Sequence, residues 1–208
     1  MLATVATVAI GKQYEVEASR LIRSIGLEVF VFDKSNPLYK RIDEHDITDG
    51  LYHKSNFANY IQGNDDEPVI FCDADLFSLK KNPLDSFKVR NDTDIAFVKY
   101  PGKFYFPDKE RQDAFDFFGY KINSGFMYFR SLKVAKDICT KWSEKFKERF
   151  WISKTEYDEY ALMMVLMKSH YKIELLDSKW NKWELNTEEE IKNSDAIFFQ
   201  SHNYLNIV

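Results

Sequence analysis

The chain has 208 residues, with 29 Lys and Arg against 33 Asp and Glu, 45% hydrophobic and 16% aromatic residues, and only seven glycines and five prolines. This composition excludes a disordered, collagenous or low-complexity chain, and a net charge of −4 argues against a protein that coats nucleic acid. No apolar run approaches the ~20 residues that span a bilayer, and no basic residue precedes the apolar opening at 2–10, so that stretch reads as a buried strand and not as a transmembrane segment or signal peptide.

Residues 4–10 are β-branched and apolar and predict a first strand, broken at Gly11. Residues 14–25 place Val16, Leu21, Ile22 and Ile25 at helical spacing, and Gly26 stands where a helix ends. Residues 27–32 predict a second strand, finishing at Asp33. Strand, helix and strand in so short a span make a parallel βαβ unit. Both strands are apolar on both faces, as expected where helices cover the sheet on each side. Residues 33–50 are polar and irregular. A helix is expected over 51–62, a third strand over 68–72 and a fourth over 94–100. An aromatic loop at 101–107 and a weakly helical stretch at 109–118 follow. Asn123-Ser124-Gly125 reads as a turn, with a strand over 126–129 after it. Ser131 suits the cap of a long helix whose Leu132, Ala135, Ile138, Cys139, Trp142 and Phe146 share one face. Thr155 opens a helix through 168, and 171–176 and 196–200 are short closing strands. With no repeat and no linker, the chain is expected to be a single α/β domain of about seven strands.

Cys72 and Cys139 lie in apolar segments and are too few for a disulfide framework, which points to a reducing, cytoplasmic compartment. The abrupt stop after 203–208 is what a domain cut from a longer protein would show.

The strongest chemical pattern is Val69-Ile70-Phe71-Cys72-Asp73-Ala74-Asp75. An apolar strand delivers two carboxylates to its carboxyl end, the edge where open α/β sheets bind ligands. Two carboxylates two residues apart can share a hard divalent cation, Mg²⁺ or Mn²⁺, whose shell phosphate oxygens complete. The bland alternative is a helix cap or a solvated turn. Asp43-Glu44-His45-Asp46 has the composition of a metal cluster, but its irregular setting reads as a solvated loop. Met163, Met164 and Met167 read as core. Phe104, Tyr105 and Phe106 suit either buried packing or stacking on an acceptor sugar, and Trp180, Asn181 and Trp183 form a similar aromatic pair with an amide.

In order along the chain stand Ala9-Ile10-Gly11 with Tyr14, Lys54 before Phe71-Cys72-Asp73-Ala74-Asp75-Leu76-Phe77, Ile122-Asn123-Ser124-Gly125-Phe126-Met127, Tyr157-Asp158-Glu159-Tyr160-Ala161-Leu162, then Trp180-Asn181 and Ser201-His202. On these the chain resembles GT-A fold glycosyltransferases, the nucleotide-diphosphosugar transferases, and most closely the glycogenin/galactosyltransferase-like branch and small virus-encoded members. The resemblance implies one GT-A domain over 1–208, with a mixed, mostly parallel sheet flanked by helices. Residues up to about 100 would form a nucleotide-binding half and the rest a sugar- and acceptor-binding half.

It also implies roles. Asp75 would bind Mn²⁺ or Mg²⁺ directly, Asp73 directly or through ribose and water, with His202 as third ligand. An imidazole favours Mn²⁺. The donor would be a nucleoside diphosphate sugar, UDP-linked, contacted by Ala9, Gly11, Tyr14, Asp33, Lys54 and Asp73. Its sugar would meet Asn123, Ser124, Gly125 and Asp158, with Gly125 leaving room for it. Asp158, or else Glu159, would be the catalytic carboxylate, a base able to take the acceptor's proton, and the acceptor a hydroxyl of a glycan. Two of these residues have plainer readings as well. Asp33 also reads as a polar strand end, and Thr155 with Asp158 also reads as a capping box. The glycine and lysine that often follow the histidine in this family are missing before Val208. Phosphate neutralisation then falls to another group such as Lys54. Two rival functions carry the same D-x-D: a nucleotide-sugar-binding module without turnover, and a haloacid-dehalogenase-like phosphatase. The phosphatase pattern puts the motif on the first strand and Thr or Val where this chain has Phe77.

Overall fold

A computed structural model of the chain describes residues 3–100, 108–153, 158–183, 185 and 187–200. β1 (Thr4–Ala9), α1 (Lys12–Ile25) and β2 (Val29–Asp33) form the expected parallel unit, with Val5 opposite Val29 and Ala9 opposite Asp33. The face turned inward is the one its spacing suggests at Leu21 and Ile25, rotated so that Val16 is left out. Glu17, Ala18, Leu21 and Ile25 are buried, while Val16 is 46% exposed. The tight Ala9–Ala18–Ala74 contact sets that rotation, because small residues let the helix approach the strand closely.

β3 (Val69–Cys72) pairs with β1, and β6 (Lys121–Phe129) runs antiparallel between β3 and β5 (Ile95–Tyr100). β7 (Ile173–Leu176) closes the edge parallel to β5, giving the order β2-β1-β3-β6-β5-β7. β6 is the one strand of this mixed, mostly parallel sheet that runs against its neighbours. A second, two-stranded sheet joins β4 (Leu76–Ser78) to β8 (Phe198–Gln200). β4 escapes a pattern search because it is three residues long and starts directly after Asp75.

The helix expected over 51–62 is instead α2 (Asp46–Ser55) followed by a 3-10 turn over Phe57–Tyr60. Its inward face holds Asp49, His53, Lys54 and Ser55, all buried, so an apolar stripe was never there to be read. Asp49 accepts from Tyr39 Oη at 2.6 Å and from the Ile42 amide at 2.8 Å, and His53 Nδ1 meets Tyr60 Oη at 2.7 Å. This polar layer pins the irregular segment before α2 to the core. Next come α3 (Lys109–Phe118), α4 (Leu132–Ser153), α5 (Asp158–Met167) and the short α6 (Glu188–Asn193), which only its Thr187/Glu190 capping box announces. Ser131 Oγ accepts from the Val134 amide at 3.2 Å, as its capping role requires. Thr155 lies outside the described residues.

Helices cover both faces of the large sheet. On one side Phe57, Phe71, Phe97, Phe129, Trp142 and Phe146 pack with Met163 and Met164. On the other Leu21, Ile70, Phe126, Trp180 and Phe198 pack together. Cys72 and Cys139 are buried free thiols. No described helix is long and apolar enough to cross a membrane.

Trp142 is fully buried on α4, and its Nε1 donates to the Asp158 carbonyl at 2.7 Å, which fixes the start of α5. Trp142→Phe removes that bond and opens a small void. Urea unfolding should show a loss of about 1–3 kcal/mol. An unchanged midpoint would mean that this bond does not hold α5.

Candidate active site

Asp73 and Asp75 leave the carboxyl end of β3, and the chain holds them there through its own backbone. The Asp73 amide donates to the Gly125 carbonyl at 2.7 Å, and the Leu76 amide to the Asp73 carbonyl at 3.0 Å. They open into a cleft of about 370 Å³ at the carboxyl ends of β1 and β3. One wall is apolar, with Val8, Ile10, Tyr14, Ile47 and Leu51. The other is charged, with Asp73, Asp75, Asp158 and Glu159 against Lys54 and Lys121.

Lys54 is the hub of the charged wall. Its ammonium lies 2.8 Å from Asp73 Oδ1, 3.0 Å from Asp73 Oδ2 and 3.1 Å from Asp158 Oδ2, and the residue is only 8% exposed. Burial works against the charge, but Asp158, Asp73 and Glu159 outweigh it and raise the lysine above its ordinary range. Burial pushes the Asp73 carboxyl up to about 6; Lys54 pulls it back, while Asp75 and Asp158 push it further. Glu159 reaches about 7 through burial and the neighbouring Asp158, opposed by Lys121 and Lys54. Lys121 sits 3.6 Å from Glu159, over the rings of Tyr100 and Tyr160 at 4.6 and 5.0 Å. Burial and the charges of Asp75 and Asp73 raise the Tyr14 phenol.

Asn123, Ser124 and Gly125 are not a turn before a strand. They lie inside β6, where Phe97 pairs with Met127 but Val98 pairs with Asn123, so Ser124, Gly125 and Phe126 bulge out of register. The bulge aims two side chains. Ser124 Oγ donates to Asp158 Oδ2 at 2.9 Å, and Asn123 Oδ1 accepts from the Gly125 amide at 2.8 Å and from Asn181 Nδ2 at 2.7 Å. The space beside Gly125 is filled by the chain itself: a Cβ there would lie 2.5 Å from Asn181 Nδ2 and 3.1 Å from Asp73 Oδ2. Close packing of the site, before any ligand, therefore requires glycine at this position.

The remaining expected residues divide. Tyr14 lines the cleft. Gly11 precedes α1 with φ 104°, beside Asp46. Ala9 is fully buried against Ala18 and Ala74, beneath the cleft and not on its wall. Asp33 accepts from the Ser35 amide and hydroxyl at 2.8 and 2.6 Å, the local strand-end role, and is not among the cleft-lining residues. Lys54 reaches the site with its ammonium already shared by two carboxylates. Phe104, Tyr105, Phe106 and His202 lie outside the described residues. The Asp43–Asp46 run forms no metal cluster: His45 leads into α2, and Asp46 pairs with Lys34 at 2.8 Å and Arg41 at 3.2 Å. Sequence reasoning missed Lys121, Tyr100 and Gln200. The only signal for Lys121 was a charge opening an apolar strand. Gln200 Nε2 reaches Asp75 at 3.3 Å through the β4–β8 pairing, which no local pattern announces.

The donor set suits a hard divalent cation. Asp73 and Asp75 face one cleft with an excess of carboxylates over ammonium groups, an arrangement a cation would offset. Among the described residues no third His, Cys, Asp or Glu joins them as a ligand cluster.

The profile of the nucleotide-diphospho-sugar transferase family matches residues 24–200. No curated protein matches the sequence. Among solved structures, a galactosyltransferase, LgtC, in complex with donor and acceptor sugar analogues superposes with a TM-score of 0.59 at 14% identity, over 95% of this chain and 86% of its own. Mouse xyloside xylosyltransferase 1 gives 0.52 at 12% identity over 99% of both chains. A glycosyltransferase involved in the glycosylation of the major capsid of PBCV-1 gives 0.58 at 14% identity, over 96% of this chain and 95% of its own. At these identities the likeness is one of fold.

Asp73 and Glu159 both have folded values above the ~4 of exposed carboxyls. From about pH 4 to 7 the folded chain then holds more protons than the unfolded one, and these groups lose stability for the fold as pH rises. Glu159→Gln should show a shallower fall in unfolding midpoint between pH 5 and 7.5 than the wild type. Parallel curves would place Glu159 in an ordinary, unstrained environment.

Proposed function

The chain belongs to the nucleotide-diphospho-sugar transferase family, and on that premise we propose that it moves a hexosyl group from a UDP-sugar to a hydroxyl of a glycan acceptor with the help of Mn²⁺ or Mg²⁺. The observation that supports this most is the meeting of Asp73 and Asp75 with the Lys54–Asp158 pair in one cleft at the carboxyl edge of the sheet.

In this reading Asp73 and Asp75 hold the cation from the protein side, with His202 completing the set. Bound there, it would neutralise charge on the leaving diphosphate. The apolar wall of Val8, Ile10 and Leu51 with Tyr14 takes the base and ribose. Lys54 keeps Asp73 and Asp158 from repelling each other and so holds the two halves of the site together. Ser124 orients Asp158 through its hydroxyl. Glu159, with a carboxyl near 7, is matched to proton transfer at neutral pH and accepts the acceptor's proton if the sugar's configuration inverts. If configuration is retained, the leaving phosphate takes that role. The buried, unpaired Cys72 and Cys139 fit a reducing, cytoplasmic setting.

UDP should raise the melting temperature only when Mn²⁺ is present, because two carboxylates repel a diphosphate without a cation between them. Equal stabilisation by UDP in excess EDTA would remove the metal from this account. Asp75→Ala should abolish the Mn²⁺ effect and Asp73→Ala should weaken it.

His202→Ala should lower Mn²⁺ affinity and flatten its loss between about pH 7 and 5.5, the range in which an unperturbed imidazole gains a proton. Mn²⁺ titrations at both pH values decide this. The same affinity in mutant and wild type at each would leave the carboxylates without a histidine partner.

A further inference from the structure

Gln200 is the polar end of an otherwise apolar strand. β8 reads Phe198-Phe199-Gln200, and all three residues are buried. The backbone fixes Gln200 from two sides. β8 pairs antiparallel with β4, which sets Gln200 opposite Leu76, the residue after Asp75. Its backbone N–H donates to the Lys182 carbonyl at 2.8 Å. The side chain lines the cleft that holds Asp73 and Asp75.

The side-chain amide is poorly used. Nε2 lies 3.3 and 3.4 Å from the two oxygens of Asp75, beyond the ~2.7–2.9 Å of a hydrogen bond to an ionised group. Oε1 is buried and has no hydrogen-bond partner among the described residues. A glutamine placed only to clamp Asp75 would sit closer, and a purely structural one would have its oxygen paired. The two ends of an amide are nearly isosteric. Turning the group over exchanges the end that faces Asp75 and gives up no bond at Oε1, which has none. The fold therefore sets the place of the amide, and the charge at Asp75 sets its orientation. A bare carboxylate calls for an N–H against it. A carboxylate that holds Mg²⁺ or Mn²⁺ calls for a further oxygen donor. The spacing suits that second state. Adjacent oxygens on an octahedral ion with bonds of about 2.1 Å stand about 3 Å apart, close to the 3.3 and 3.4 Å between Nε2 and Asp75.

We propose that Gln200 turns its amide when a divalent cation binds, so that Oε1 joins the Asp73 and Asp75 carboxylates as a protein ligand. The inference rests on the metal-dependent reading of the cleft and adds to it a residue outside the D-x-D run. No local pattern marks Gln200 as such a donor. The β4–β8 pairing brings it to Asp75 from 125 residues away. An amide oxygen carries no titratable proton, so its share in holding the ion stays constant across the acid range in which an imidazole is lost as a ligand.

Mn²⁺ titration of the full chain with UDP present, followed by EPR, tests the affinity. Gln200→Leu removes both ends of the amide and should bind Mn²⁺ roughly tenfold more weakly than the wild type. Its thermal midpoint without metal checks that it folds. Gln200→Glu keeps an oxygen ligand and should match or exceed wild-type affinity, and it serves if the leucine variant does not fold. Pulsed ENDOR of Mn²⁺ on protein carrying glutamine labelled with ¹³C at Cδ reads the orientation. The wild type should show a strong ¹³C coupling that Gln200→Leu lacks. Unchanged affinity in Gln200→Leu, or weakened binding by Gln200→Glu, overturns the ligand role. A tenfold loss in Gln200→Leu with no ¹³C coupling in the wild type overturns it as well, and leaves Gln200 as a donor that positions Asp75. Mn²⁺ binding that needs Asp75 and ignores Gln200 removes this inference alone, whereas a wild type that binds no Mn²⁺ removes the metal reading along with it.

Discussion

The site depends on one buried ammonium. Lys54 stands between Asp73, which ends β3, and Asp158, which begins α5. Without it two carboxylates from distant parts of the chain would face each other at low dielectric, and neither could stay ionised there at modest cost. With it, α2, β3 and α5 share one electrostatic joint. The joint explains why a helix so poor in apolar residues is held against the core at all. α2 is fixed by what its polar residues reach, namely Asp49 to Tyr39, His53 to Tyr60 and Lys54 to the two aspartates.

The reversed strand is the second constraint. In a wholly parallel sheet every strand would bring only its carboxyl end to the ligand edge. β6 runs the other way and so brings its opening residues, Lys121 to Gly125, to that edge. The bulge there offsets the strand and turns Ser124 and Asn123 toward two separate partners. Glycine at 125 is required because Asn181 and Asp73 already fill the space beside it. A feature that reads as room for substrate is thus first a condition for assembling the site.

Lys121 and Glu159 add a second, looser ion pair at the same edge, 3.6 Å apart and roofed by Tyr100 and Tyr160. The tight pair joins carboxylates from two elements, while burial and the neighbouring Asp158 raise Glu159 to about 7 against the pull of Lys121 and Lys54. Two lysines that composition treats alike thus sit in different electrostatic settings.

Local pattern determined much of this protein. Apolar β-branched runs name β1, β2, β3 and β5. Two carboxylates directly after the apolar run 69–72 mark the ligand edge, because a buried strand can end in charge only where the sheet meets solvent or ligand. The order of the motifs along the chain indicates the family. Tertiary structure decided the rest. The start of α2 was hidden because its inward face is polar and satisfied by residues far away in sequence. The bulge in β6 exists only against β5, so no window of sequence contains it. Lys54 looks like any helix lysine until the fold closes two aspartates around it, since the energy of a buried ion pair belongs to its surroundings and not to the residue.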